Sequence, residues 1–200
     1  MKETPSDIKK IYKWSPEMRG VFSLNDLRSI IKVFDSTILY RRIRSLEENG
    51  IIIRYIRRFY VTENFDMKTL AARIYGANSY VSLGSVLSEK LITGVLPAKN
   101  LYMVKTGKGR SFTNERGSLT FSGIKKELFF GYKKEKFWNE ALPEKAFLDT
   151  LYFYQKGMRF PFDIYSDINI SLINKGLVLK WLDKYRNPRF RGFVRKILNG

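Results

Sequence analysis

Two hundred residues with 44% hydrophobic and 15% aromatic content suffice for one large or two small folded domains and exclude a disordered basic tail. Lys and Arg outnumber Asp and Glu 37 to 19, a formal +18 that favours a polyanionic partner, nucleic acid before an anionic membrane surface. With no Cys and no His, a disulfide framework, thiolate chemistry, zinc ligation and a histidine base are all excluded.

No apolar run approaches the ~20 residues of a membrane span, and the opening MKETPSDIKK lacks the apolar core of a signal peptide. A cytoplasmic protein is expected, with no membrane partner, no metal and no cofactor.

In chain order, residues 6–14 can form a first short helix, with Ile8, Ile11 and Tyr12 as its stripe and Pro16 and Gly20 as breakers. Ser23 is placed to cap a second helix with Asp26 in its first turn and Phe22 stapled onto Leu27. Leu24, Leu27, Ile30 and Ile31 supply its buried side. After Lys32-Val33-Phe34, Asp35 and Ser36 open a third helix. Leu39, Ile43 and Leu46 form its aliphatic stripe, and Asn49-Gly50 stops it. Ile51-Ile52-Ile53, the basic centre Arg54-Tyr55-Ile56-Arg57-Arg58 and Phe59-Tyr60-Val61 then read as a hairpin whose turn carries neither Gly nor Asn. Helix, helix, helix, hairpin is the order of a winged helix-turn-helix, expected over residues 1–64.

Ser36, Thr37, Tyr40, Arg41 and Arg44 would then face the major groove, with Arg42 off that face and directed at phosphate. Arg54, Arg57 and Arg58 of the wing would hold the backbone or enter the minor groove. The same arginines read alternatively as a solvated surface, and such a unit also serves in protein binding.

Residues 65–200 are expected to form a mixed α/β domain, making the whole an α/β (α+β) protein. Asp66 caps a helix over Met67–Tyr75. Tyr80-Val81-Ser82 leads into another helix through Leu83, Val86, Leu87 and Leu91, closed by Gly94 and Pro97. Strands are expected at 101–104, 118–121, 128–130 and 137–141, with a turn at 107–110. Helices follow over 143–155, within 167–185 and over 188–198. The last of these regions carries Lys175, Lys180, Lys184, Arg186, Arg189, Arg191, Arg195 and Lys196 against Asp183 alone, with Tyr185 and Phe190 interleaved. It reads as a second phosphate-facing patch or as solvated surface.

Catalytic readings are thin. In the run Pro143-Glu144-Lys145-Ala146-Phe147-Leu148-Asp149, Glu144 and Lys145 point about 100° apart on a helix and cannot share a site. Ala146, Phe147 and Leu148 read as core, and Asp149 as a tie to a neighbouring element. Gly107-Lys108-Gly109-Arg110 lacks the P-loop pattern and is expected to be a hairpin turn. No Glu-x-Lys occurs, and the acids of Asp7-Ile8-Lys9 and Asp66-Met67-Lys68 are better explained as helix caps. Tyr152, Phe153, Tyr154, Phe160 and Phe162 read as core before base-stacking platforms.

Several stretches together carry a resemblance. They are Ala72 to Tyr75, then Ser79-Tyr80-Val81-Ser82-Leu83 with Leu87 and Leu91-Ile92, then Leu101 to Val104. Phe121, Leu128 to Gly131 and Ala141-Leu142-Pro143-Glu144-Lys145-Ala146-Phe147-Leu148-Asp149 follow. In this order and behind a winged helix, the chain resembles the AbiEi antitoxin family of type IV toxin–antitoxin systems, first met in phage abortive infection. It departs from that family at Arg58-Phe59-Tyr60, where a glycine is expected before the tyrosine. The resemblance implies a bifunctional protein, not an enzyme. Its N-terminal domain would bind inverted repeats in its own promoter and repress transcription. Its C-terminal domain would antagonise a nucleotidyltransferase-like toxin without a stable complex. The competing expectations are an RNA-binding or toxin-binding module without operator specificity and, further off, a carboxylate-dependent nuclease.

Overall fold

Ser23 and Asp26 close a capping box at the start of the second helix. The Ser23 hydroxyl accepts from the Asp26 backbone N–H at 3.2 Å, and the Asp26 carboxylate accepts from the Ser23 backbone N–H at 2.6 Å. This geometry comes from a computed structural model of the chain, which describes residues 3–94 and 99–199. Pro97, expected to close a helical unit, lies outside the described residues. The chain is an α/β protein of two compact units, residues 1–70 and 71–200.

The first unit runs α1 (Glu3–Met18), β1 (Val21–Ser23), α2 (Leu24–Ile31), α3 (Ser36–Glu48), β2 (Ile53–Ile56) and β3 (Phe59–Val61). The expected stripes meet in one core, in which Ile11, Phe22, Leu27, Leu39, Ile43 and Leu46 are all buried, but Tyr12, expected on the first stripe, is 60% exposed and lies outside it. β1, β3 and β2 form an antiparallel sheet in that order, pairing Val21 with Val61 and Ile53 with Val61.

Two expectations are corrected here. α1 continues beyond residue 14 and includes Pro16, because a proline in the last turn removes one N–H and leaves the earlier bonds intact. The helix ends instead where Gly20 N–H reaches Ser15 O at 2.9 Å. Gly20 has φ +71°, and a Cβ there would sit 2.5 Å from Thr62 Oγ1, so glycine is required where the turn after α1 approaches the segment after β3. The unit also closes later than residue 64. Phe65 packs edge-on against Tyr55 at 5.8 Å, and Arg19 Nη2 donates to Asp66 Oδ2 at 2.8 Å. The boundary between the units therefore falls inside α4 (Met67–Tyr75).

The second unit holds a six-stranded mixed sheet. In chain order the elements are β4 (Ser79–Val81), α5 (Gly84–Glu89), β5 (Asn100–Thr106), β6 (Arg110–Asn114), β7 (Gly117–Ile124), β8 (Tyr132–Lys134) and β9 (Asn139–Ala141). Helices α6 (Pro143–Gln155), α7 (Lys175–Leu182) and α8 (Pro188–Asn199) complete it. The strand order is β6-β7-β5-β4-β9-β8, parallel at β7/β5 and β4/β9 and antiparallel elsewhere.

The apolar run 128–130 is not a strand. Lys126–Leu128 is a 3-10 turn that buries Leu128. The expected hairpin at 107–110 is also corrected, since β6 pairs with β7 and the glycines carry the chain past that strand. The pattern within 167–185 resolves into a 3-10 turn, Ile170–Leu172, and α7. Among the described residues no helix is long and apolar enough to cross a membrane.

Candidate nucleic-acid interface

Asp35 starts α3 by accepting the Ile38 backbone N–H on Oδ1 at 2.8 Å. With Leu39, Ile43 and Leu46 fixed in the core, the 3.6-residue repeat places Thr37, Tyr40, Arg41 and Arg44 within an arc of about 100° on the opposite side. All four are exposed, as is Ser36. Arg44 Nε donates to Glu48 Oε1 at 3.0 Å, an exposed i,i+4 pair that water and salt weaken.

The hairpin is set against this helix. Its turn consists of Arg57 and Arg58, and Arg58 takes φ 69°, the left-handed conformation that glycine adopts more cheaply. A shift of register between Arg54 and Ile56 bulges β2. Arg58 O accepts from Leu24 N at 2.9 Å, which ties the tip to the start of α2. Between α3 and the hairpin lies a cleft of about 460 Å³ that Tyr40 and Arg44 share with Arg54, Arg57 and Arg58. Among the described residues that line it, the one acid is Glu47. Burial raises its pKa, while the Arg54 guanidinium and a bond from the Arg54 backbone oppose the rise. Burial also raises the Tyr60 phenol, with the Glu47 charge adding to it.

Arg42 does not belong to this surface. Its Nε donates to Asp7 Oδ2 at 2.6 Å and its Nη2 to Asp7 Oδ1, and its side chain is 14% exposed. Its expected reach to phosphate is therefore corrected: the guanidinium is spent holding α3 to α1. The sequence reading also missed Phe34 and Ile38. Phe34 is 84% exposed on the turn entering α3, and Ile38 is 40% exposed on its first turn. Their position off the aliphatic stripe was the available signal.

In the second unit, Lys180, Lys184, Arg186, Arg189, Arg195 and Lys196 are exposed. Arg191 is not free: its Nη2 donates to Asp183 Oδ1 at 2.6 Å. Lys175 Nζ donates to Leu198 O at 2.7 Å, serving the C-terminal turn of α8. The glycine turn at 107–109 is held from inside by a lysine. Its Lys108 carbonyl and the Thr106 carbonyl accept from Lys105 Nζ, at 2.9 and 2.7 Å.

The acid pairs weighed for a nuclease are engaged elsewhere, Asp7 with Arg42 and Asp66 with Arg19 and the start of α4. Among the described residues no group of three or more acids could hold a metal ion. Lys145 and Asp149, one turn apart on α6, form an ion pair wholly buried in the core. Asp149 Oδ2 also accepts from Tyr80 at 3.0 Å and Ser82 at 2.8 Å, so the expected tie to a neighbouring element is present. The lysine in it was not anticipated. Tyr152 and Tyr154 are half-buried, and Phe153 and Phe162 are buried.

No protein-family model matches the chain, and no characterised protein sequence matches it.

Proposed function

We propose that this chain is a winged helix-turn-helix repressor that binds double-stranded DNA at a specific operator. The observation that carries the reading is the cleft in which Tyr40 and Arg44 of α3 and Arg54, Arg57 and Arg58 of the hairpin face one another. An exposed helix face flanked by a basic hairpin fits duplex DNA: the helix in the major groove, the hairpin arginines on the phosphates. Thr37 and Arg41 extend the helix face. Phe34 and Ile38 add apolar surface suited to thymine methyl groups. The formal +18 supplies attraction at long range.

The resemblance to the AbiEi family extends the proposal. The operator would be inverted repeats in the protein's own promoter. The second unit would act as antitoxin against a nucleotidyltransferase-like toxin, in the cytoplasm and without a stable complex.

Fluorescence anisotropy on the upstream promoter and on scrambled DNA, across a salt series, tests the reading. A footprint of about 6 phosphates gives log K falling with log salt at a slope near −5, with a promoter preference of about 1,000-fold or more. A steep slope without sequence preference would remove operator recognition and make RNA the next ligand to test.

A further inference from the structure

A cavity of about 300 Å³ opens in the second unit among α6, α8 and the segment around Leu128. That volume lies at the small end of ligand-binding pockets, ~300–1,000 Å³. Its floor is aromatic. Tyr152 meets Phe190 edge to face at 5.7 Å, and Tyr185 lies 4.8 Å from Phe190 and 5.8 Å from Tyr152 between ring centroids. Tyr185 and Phe190 are almost wholly buried and hold the floor rigid, while Tyr152 is half-buried and offers ring surface.

Among the described residues the rim carries Lys125, Lys156, Lys184 and Arg186 against the single acid Glu127. All four cations are exposed, and none is ion-paired with a described carboxylate. Lys156 Nζ instead rests 4.4 Å from the Tyr152 ring centroid, and Lys184 Nζ 4.9 Å from that of Phe130. Four like charges around one mouth repel one another, and an entering anion relieves that repulsion.

Two amides complete the lining. Asn187 Oδ1 is occupied, accepting from Arg189 N at 2.9 Å and Phe190 N at 3.4 Å, which leaves its NH2 as donor. Gln155 is exposed at the same mouth.

We propose that this cavity binds a nucleoside phosphate. The base takes the place of the Lys156 ammonium over Tyr152, the phosphate sits among Lys125, Lys184 and Arg186, and Gln155 and Asn187 meet the base edge. A bare inorganic anion leaves the aromatic floor unused. A neutral ring leaves the four cations uncompensated. The same chemistry is offered by a free mononucleotide or by the phosphorylated end of a single strand. The inference goes beyond operator binding and does not rest on it.

Isothermal titration calorimetry of the full chain tests it with AMP, adenosine, inorganic phosphate and a 5′-phosphorylated tetranucleotide. AMP is expected to bind about 10-fold or more tighter than either adenosine or phosphate. Tyr152→Ala should weaken it about 10-fold, as loss of one stacking partner does. Lys184→Glu with Arg186→Glu should abolish the advantage of AMP over adenosine. Lys184 and Arg186 are exposed and Tyr152 is half-buried, and an unchanged thermal melt verifies the fold of each variant. Tighter binding of the tetranucleotide than of AMP assigns the site to a strand end, and the reverse to the free nucleotide. AMP binding no tighter than phosphate, or untouched by the charge reversal, overturns the proposal. Arg41→Ala should leave AMP affinity unchanged while operator affinity falls, so failure of one reading is distinguishable from failure of the other.

Discussion

Arg42 of α3 grips Asp7 of α1 at two points, and Lys10 Nζ stands 3.6 Å from the same carboxylate. Asp7 is 1% exposed, so removing Arg42 leaves a nearly buried charge with only the longer Lys10 contact and without its two guanidinium hydrogen bonds. Arg42→Ala is expected to cost about 3 kcal/mol in urea unfolding, the low end for a broken buried pair because Arg42 keeps some contact with water. Arg41→Ala, one residue away on the exposed face, should change stability by less than ~0.5 kcal/mol. Equal losses in the two variants would contradict the division of labour described for α3.

On DNA the exposed arginines of α3 and the hairpin should divide the work. If Arg41 or Arg44 makes a bidentate contact with guanine, replacement by Ala costs about 1–3 kcal/mol and relaxes one base position. Arg57→Ala should weaken operator and random DNA alike and lower the salt slope by about 1. Anisotropy on a panel of single-base operator variants reads both effects. Uniform losses for Arg41→Ala and Arg44→Ala across that panel would remove α3 as the recognition helix.

What local sequence carries, the structure contains. The Ser23–Asp26 capping box, the Asp35 cap and the stripe of Leu39, Ile43 and Leu46 are each decided within four to eight residues, where spacing and side-chain chemistry suffice. Arg42 looked available because its partner lies 35 residues upstream, on a helix whose orientation no local pattern encodes. β6 was missed for a related reason. Its five residues alternate too weakly, with four of them polar or charged, and they form a strand because β7 offers an edge. The converse holds at Leu128, where an apolar run suggested a strand but burial is achieved on a 3-10 turn. At the hairpin tip the missing glycine is replaced by strain. Arg58 holds φ 69° with its carbonyl bonded to Leu24 N.

Lys145 and Asp149 give a prediction for the second unit. Burial pushes the Asp149 carboxyl up and the Lys145 ammonium down, each shift opposed by the partner's charge. Asp149→Ala strands Lys145, Tyr80 and Ser82 together and should cost about 3–5 kcal/mol. Lys145→Met combined with Asp149→Ala should cost less than the sum of the two single changes, because no charge is then left alone. Guanidinium unfolding of the three variants measures the difference. Strict additivity would mean that the pair contributes nothing as a pair.

Asp66 provides a pH dependence. Burial raises its pKa, but the Thr69 backbone N–H at 2.6 Å and the Arg19 guanidinium outweigh this and hold it below its ordinary 3.8. A carboxyl with a lowered folded pKa stabilises fully above its unfolded value of about 3.9 and loses that contribution as pH falls through the folded value. Asp66→Asn keeps a capping oxygen and removes the charge. At pH 7 it should cost roughly 0.5–1 kcal/mol, discounted for the partial exposure of the pair. The gap should close as pH falls below about 4 and through the lowered folded value. A gap that persists at the acid end would assign the loss to packing.

The six-stranded sheet ends on one side at β6 and on the other at β8, and no described strand extends either edge. Such edges are templates on which further chains can add, and a charged side chain on the outermost strand makes that addition costly. β8 is three residues long and carries exposed Lys133 and Lys134, while β6 opens on exposed Arg110. A second copy approaching either edge would bring lysine against lysine or arginine against arginine. Part of the positive charge of this chain thus sits where it opposes edge-to-edge addition of a second copy, at residues that line neither the α3–hairpin cleft nor the aromatic-floored cavity.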